Sequence, residues 1–374
     1  MDRLTRRNWL RAAALAPAAF AAAPPALYAA PTADDLKAVV DKAVKFLSTR
    51  QKDDGDLAPS PRVGPGVTAL AIAALVRNGY ADSPLVRKGL AFLEKNIKAD
   101  GGVYNQGLET YTTSLAVVAF KEANAGGKYD KVIAAATKFV RGLQYGDGLD
   151  PKDVKVGGVG YGKPGGRDRP DLSNTQFMVD ALMAAGAKKD DPAITKALGF
   201  ISRCQNLKSE YNDQPFADKT SDDDKGGFVY NPLDQNNDKS DKRTAAGGLR
   251  SEGGMTYAGL KSFLYAGVGK DDPRVKAAIA WIRKHYTVTE NPGQGKAGLF
   301  YYYVTFAKAM AALGEDPFVD AKGVKHDWRQ ELFDALKKQQ KTDGSWANEN
   351  RAFLENAPEL ATAFALMALS YTKA

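Results

Sequence analysis

The chain has 374 residues, 44% of them hydrophobic, which is enough to fill a large core. Its formal net charge is +8, but Arg3, Arg6, Arg7 and Arg11 against Asp2 carry three of those charges, leaving residues 31–374 mildly basic. That balance permits an acidic ligand without arguing for one. The lysines are scattered, with no basic stripe interleaved with aromatics, so nucleic-acid binding is not expected.

Arg6-Arg7 precedes Asn8-Trp9-Leu10 and an alanine-rich stretch ending near Ala29-Ala30. Residues 1–30 therefore read as a twin-arginine export signal, with a periplasmic or other extracytoplasmic destination. Pro17, Pro24 and Pro25 argue against a stable membrane helix there, and no later segment is long and apolar enough to span a bilayer.

From residue 31 onward, amphipathic stretches alternate with mostly apolar ones. The amphipathic periodicity predicts helices over roughly 34–50, 84–97, 130–144, 192–204, 272–286 and 328–340. The apolar stretches predict helices over roughly 66–76, 110–123, 173–185, 254–266, 299–312 and 359–371. An amphipathic helix belongs on an outer wall and an apolar one inside it. The connectors Ala81-Asp82-Ser83-Pro84, Asp190-Asp191-Pro192, Asp271-Asp272-Pro273 and Glu315-Asp316-Pro317 each place a capping residue before a proline at a helix start.

Between the members of each pair stands a recurring phrase. It is clearest at Ala335-Leu336, Gln340 and Asp343-Gly344-Ser345-Trp346. Related copies carry Gln51 with Asp54-Gly55, Gln144 with Gly157-Gly158, and Gln205 with Gly226-Gly227-Phe228. Two copies lack the glutamine, at Asp100-Gly101-Gly102 and at Gly298-Leu299-Phe300. Six copies predict an all-α fold of six αα-hairpins closed into a double-walled α6/α6 toroid. Length by itself would allow two domains, but a closed ring cannot be cut without exposing inner helices, so 31–374 reads as one toroid. The polar stretch of about 207–252 reads as a long insertion over one barrel mouth.

The glutamine with Asp-Gly-Ser-Trp resembles the QW repeat of squalene and hopene cyclases, and Gly226-Gly227-Phe228-Val229-Tyr230 resembles a turn of protein prenyltransferase β subunits. The resemblance covers nearly all of the chain after residue 33. It implies that superfamily's toroid with a deep axial cavity, and structural roles for Gln51, Gln144, Gln205, Gln340 and Trp346.

The superfamily's chemistry is not visible in the sequence. Squalene-type cyclases use Asp-x-Asp-Asp, and the nearest run here, Ser221-Asp222-Asp223-Asp224, leads into a glycine turn. The prenyltransferase zinc needs Asp, Cys and His, but Cys204, His285 and His326 fall on or beside different outer helices. Asp234, Asn236, Asp238 and Ser240 begin like a calcium loop, yet Lys239 and Ala245 replace the required glycine and glutamate. No metal and no cofactor is expected. The lone Cys204 reads as a buried structural thiol.

Candidate site residues cluster where inner helices begin. Asp171 and Glu252 are the candidate acids, and Tyr104, Tyr161, Tyr230, Tyr257, Tyr301, Arg167, Arg169 and Arg250 the candidate ligand-binding residues at one end of the barrel. The expected partner is a small molecule or a polymer in the axial cavity. Three functions stay open at this point: an isoprenoid cyclase or transferase, a polysaccharide lyase acting on uronates, and a noncatalytic binding or scaffold toroid. A closed apolar cavity favours the first, a groove lined by Arg and Asp the second, and a barrel plugged by tyrosines the third.

Overall fold

The computed structural model describes residues 30–164 and 169–373. Arg6, Arg7 and the rest of the proposed signal up to residue 29 lie outside the described residues, as does Arg167. The outer wall comprises α1 (Ala33–Arg50), α3 (Pro84–Lys95), α5 (Asp130–Arg141), α7 (Pro192–Arg203), α9 (Pro273–His285) and α11 (Trp328–Gln339). The inner wall comprises α2 (Gly66–Arg77), α4 (Glu109–Glu122), α6 (Leu172–Ala184), α8 (Gly253–Tyr265), α10 (Leu299–Leu313) and α12 (Pro358–Leu369). Each inner helix packs on the next, and α12 packs on α2, so the inner wall closes. This is the all-α double-walled toroid that the alternation of amphipathic and apolar stretches predicts.

The tight pairs are α2 with α3, α4 with α5, α6 with α7 and α8 with α9, each an inner helix with the outer helix that follows it. The first outer helix, α1, packs on the last inner one, α12. The sequence phrase of outer helix, turn and inner helix therefore straddles two packed pairs. Its turn is the mortar between them.

The glutamines show how. Gln340 donates from Nε2 to the carbonyl of Gly344 in its own turn (3.0 Å) and to that of Val39 in α1 (2.9 Å). Gln51 does the same to Gly55 and Leu85, Gln144 to Gly157 and Ala193, and Gln205 to Gly226 and Arg274. In every case the second acceptor lies in the first turns of the next outer helix. Gly344 has φ +89°, and a Cβ there would run into the carbonyl of Lys42, so the turn demands glycine for both backbone and space. Trp346 is fully buried and its Nε1 donates to Leu336.

A second repeated bond has no conspicuous sequence signal. Thr68, Thr113, Thr175, Thr256 and Thr362, each early in an inner helix, accept from the backbone N–H of Leu57, Val103, Val159, Phe228 and Trp346 just after the turns. A threonine inside an apolar helix reads as a weak helix former, yet here it satisfies an otherwise buried donor.

One connector departs from expectation. Ser83, Asp191 and Asp272 cap α3, α7 and α9 ahead of prolines. Asp316-Pro317 instead leads into β1 (Phe318–Val319), which pairs antiparallel with β2 (Lys325–His326), and Asp327 caps α11. The strand after Pro317 carries the buried Phe318, which stacks beside Tyr286 with ring centroids 5.3 Å apart.

Candidate functional site

An axial cavity of about 840 Å³ opens where the inner helices begin. All six contribute: Val67 from α2, Tyr111 from α4, Ser173 and Phe177 from α6, Met255 from α8, Tyr301 from α10, and Leu360 and Phe364 from α12. These residues occupy the first two turns of their helices, since every turn delivers its inner helix with the same polarity. The rim adds Tyr161, Tyr230, Gln294, Phe353 and Leu354. Aromatic rings meet edge to face across the floor, Tyr111 on Phe177, Phe177 on Tyr301 and Tyr301 on Phe364. No lysine or arginine lines this cavity among the described residues.

Of the residues expected at the site, Tyr161, Tyr230, Tyr301 and Glu252 line the cavity. Glu252 precedes α8 and is buried; burial holds its carboxyl above the usual carboxylate range, against the pull of the Lys242 ammonium at 2.9 Å. Asp171 is the N-cap of α6, accepting from the Asn174 backbone N–H (2.8 Å) and from Asn174 Nδ2 (2.8 Å). It also hydrogen-bonds the Tyr230 hydroxyl, which in turn meets Tyr161. Asp171 thus stands behind the tyrosines as their support.

The other candidates lie elsewhere. Tyr104 immediately follows the buried Val103, and one step along an extended segment reverses the side-chain direction. It stacks on Phe139 at the outer wall and bonds Asp100, whereas Tyr161 and Tyr230 stand two residues after Val159 and Phe228, the positions whose N–H groups bond inner-helix threonines as that of Val103 does. Tyr257 is packed between α8 and α10 against Tyr302 and Phe306. Arg169 pairs with Asp234 (2.9 Å), and Arg250 is exposed away from the cavity lining.

Two groups were not anticipated from sequence. Glu355 lines the cavity and is fully buried. It accepts from the backbone N–H groups of Phe300 and Tyr301 and from Asn348 Nδ2, so a loop carboxylate caps the start of α10. Burial nevertheless raises its affinity for a proton. No local pattern marks Glu355, because the backbone N–H groups it caps belong to another hairpin. Beneath the floor, Asp180 of α6 bridges Lys261 of α8 (2.5 Å) and Lys308 of α10 (2.8 Å). A lysine in the middle of each of two apolar helices was the available signal.

The remaining acids have structural partners. Asp224 accepts from the Ser251 backbone N–H and the Ser221 hydroxyl, and Asp223 pairs with Lys284. Burial raises the Cys204 thiol well above its ordinary value. Among the described residues no cluster of three or more His, Cys, Asp or Glu is placed to hold a metal, and no helix is long and apolar enough to cross a membrane.

Neither a protein-family model nor a curated protein matches the sequence. Solved structures do match in shape. A type II terpene cyclase from Scytonema is 15% identical with a TM-score of 0.53, covering 90% of this chain and 98% of its own. Cellobiose 2-epimerase from Bacillus thermoamylovorans is 10% identical, TM-score 0.53, covering 90% and 99%. A polysaccharide lyase is 10% identical, TM-score 0.55, covering 90% and 97%. The chain shares the (α/α)6 toroid with all three. At these identities the likeness shows the fold alone, and it does not single out the prenyltransferase and squalene-cyclase superfamily over the epimerase or the lyase.

Proposed function

We propose that the toroid takes a neutral, predominantly apolar ligand of isoprenoid type into the axial cavity, and that Glu252 is its proton-bearing group. The composition of the cavity wall carries this reading. Aromatic and aliphatic side chains make up most of the wall around about 840 Å³, with Gln106, Asn291 and Gln294 among the polar remainder and no cation among the described lining residues. Desolvating a polyanionic sugar chain against such a wall, beside two carboxyls, is unfavourable. A hydrocarbon gains from the same burial.

Glu252 is suited to the second role because desolvation favours its protonated form. Proton addition to a ligand double bond would leave a carbocation facing the Tyr161, Tyr230 and Tyr301 rings, whose π faces stabilise positive charge. The Asp171–Tyr230–Tyr161 hydrogen bonds would hold two of those rings in place. The experiment is equilibrium binding of geranylgeraniol and of an oligogalacturonate to the full chain, followed by mass spectrometry of the recovered isoprenoid. Binding of the isoprenoid alone supports the reading, and a cyclised product that disappears in Glu252→Gln assigns the acid. Tight binding of the oligouronate instead rejects it.

We further infer export from the Arg6-Arg7 motif, which would place the cavity outside the cytoplasm.

A further inference from the structure

We propose that Tyr301 is the polar anchor of the cavity, its hydroxyl hydrogen selecting ligands that carry one neutral oxygen acceptor, a hydroxyl, ether or carbonyl, on an otherwise apolar body. This inference rests on the isoprenoid reading above and narrows it.

The argument begins below the floor, at Lys261. An ammonium donates and never accepts, and Lys261 is fully buried. It donates to Asp180 Oδ1 (2.5 Å) and to Gln176 Oε1. That second bond fixes which way the Gln176 amide faces, since its oxygen must point to the lysine. Its nitrogen therefore points up, and Nε2 lies 3.3 Å from the Tyr301 hydroxyl oxygen as a donor. Ser173 Oγ donates to the same oxygen at 3.1 Å.

The Tyr301 oxygen thus accepts twice from α6. Its own hydrogen has no acceptor among the described residues, while its ring lines the cavity between Phe177 and Phe364. A hydroxyl hydrogen facing an apolar wall without an acceptor is costly, and a ligand oxygen relieves that cost. Each bond accepted by the phenol also polarises its O–H, strengthening the next bond in the chain. Burial keeps the phenol protonated, so the donor persists over the working pH range.

The same surroundings argue against a charged head. No cation lines the cavity among the described residues, so a diphosphate or carboxylate placed beside the Glu252 and Glu355 carboxyls would lose its hydration without gaining a counter-charge. A cation would sit at those carboxyls, away from the Tyr301 hydrogen. A neutral acceptor is what remains.

The test compares all-trans-geranylgeraniol with the hydrocarbon of the same carbon skeleton lacking oxygen, titrated into the full chain. The wild type should bind the alcohol roughly five- to tenfold more tightly, the range expected of one such hydrogen bond. Tyr301→Phe should erase that preference while leaving hydrocarbon binding unchanged, and Ser173→Ala should reduce it partway. A preference that survives Tyr301→Phe overturns the anchor and leaves the isoprenoid reading standing. Failure of the wild type to bind either probe overturns both. Should Tyr301→Phe fold poorly, the Tyr301 ring carbon bearing the hydroxyl can be followed by NMR in the wild type. It should shift with the alcohol and not with the hydrocarbon, and equal shifts with both would refute the anchor.

Discussion

Gln340 joins two helices through one amide, so its side chain has a stability consequence out of proportion to its exposure. Gln340→Leu leaves the carbonyls of Val39 and Gly344 without their donor. The expected cost is about 2 kcal/mol, measured by urea denaturation, at ~1 kcal/mol for each lost bond. The buried charges behave differently. Asp180→Asn removes the counter-charge that Lys261 and Lys308 share among the described residues, and should destabilise by about 3–5 kcal/mol, whereas Lys261→Met leaves a simple Asp180–Lys308 pair and should cost less. Burial lowers the Lys261 ammonium from its ordinary value of 10.5 to about 8. Its folded-state pKa lies below the unfolded one, so the unfolded chain binds more protons between about pH 8 and 10.5. Stability should therefore rise with pH across that window relative to Lys261→Met. A pH-independent difference between the two proteins would contradict the assignment.

At the scale of elements, the inner helices are placed by their first turns. Asp171 caps α6 through the Asn174 N–H and also supports Tyr230. Asp171→Ala should cost roughly 1 kcal/mol for the cap alone. It should also loosen the Tyr230–Tyr161 contact, so isoprenoid affinity should fall together with stability, as parallel denaturation and binding titrations would reveal. The α10 start is capped from a distance by Glu355, on a segment where Phe353 and Leu354 take left-handed φ values of 58° and 61°. Non-glycine residues adopt that region at some cost, so the carboxyl anchor and the displayed apolar pair belong to one device at the cavity rim.

For the whole molecule, closure is the controlling fact. The α1–α12 contact and the Gln340–Val39 bond join the two ends of the described chain. Truncation before Asp327 removes α11, α12 and that join, exposing apolar flanks of α2 and α10. Loss of cooperative unfolding by calorimetry is the expected result, and a soluble, cooperatively folded truncation would argue against ring closure as the source of stability. Export is tested separately. Arg6→Lys with Arg7→Lys should retain the protein in the cytoplasm by cell fractionation, and continued export would reject the signal.

The bracing role of Gln51, Gln144, Gln205 and Gln340 followed from the resemblance to QW repeats, whereas the sequence by itself determined the twelve helices and their sorting into two walls. Those features are periodic, and a period is a local property that repetition amplifies. Tyr161, Tyr230, Tyr301 and Glu252 were legible as residues of the cavity wall for the same reason, since each follows a recognisable turn. Only the tertiary structure decided that Tyr104 faces outward, because a one-residue difference in register reverses a side chain. Only it brought Glu355 to the α10 start and joined Asp180, Lys261 and Lys308, whose partners stand on different helices. It also gave the Gln176 amide its direction. Contacts across a closed ring depend on which helices become neighbours, and no stretch of chain shorter than the ring contains that information.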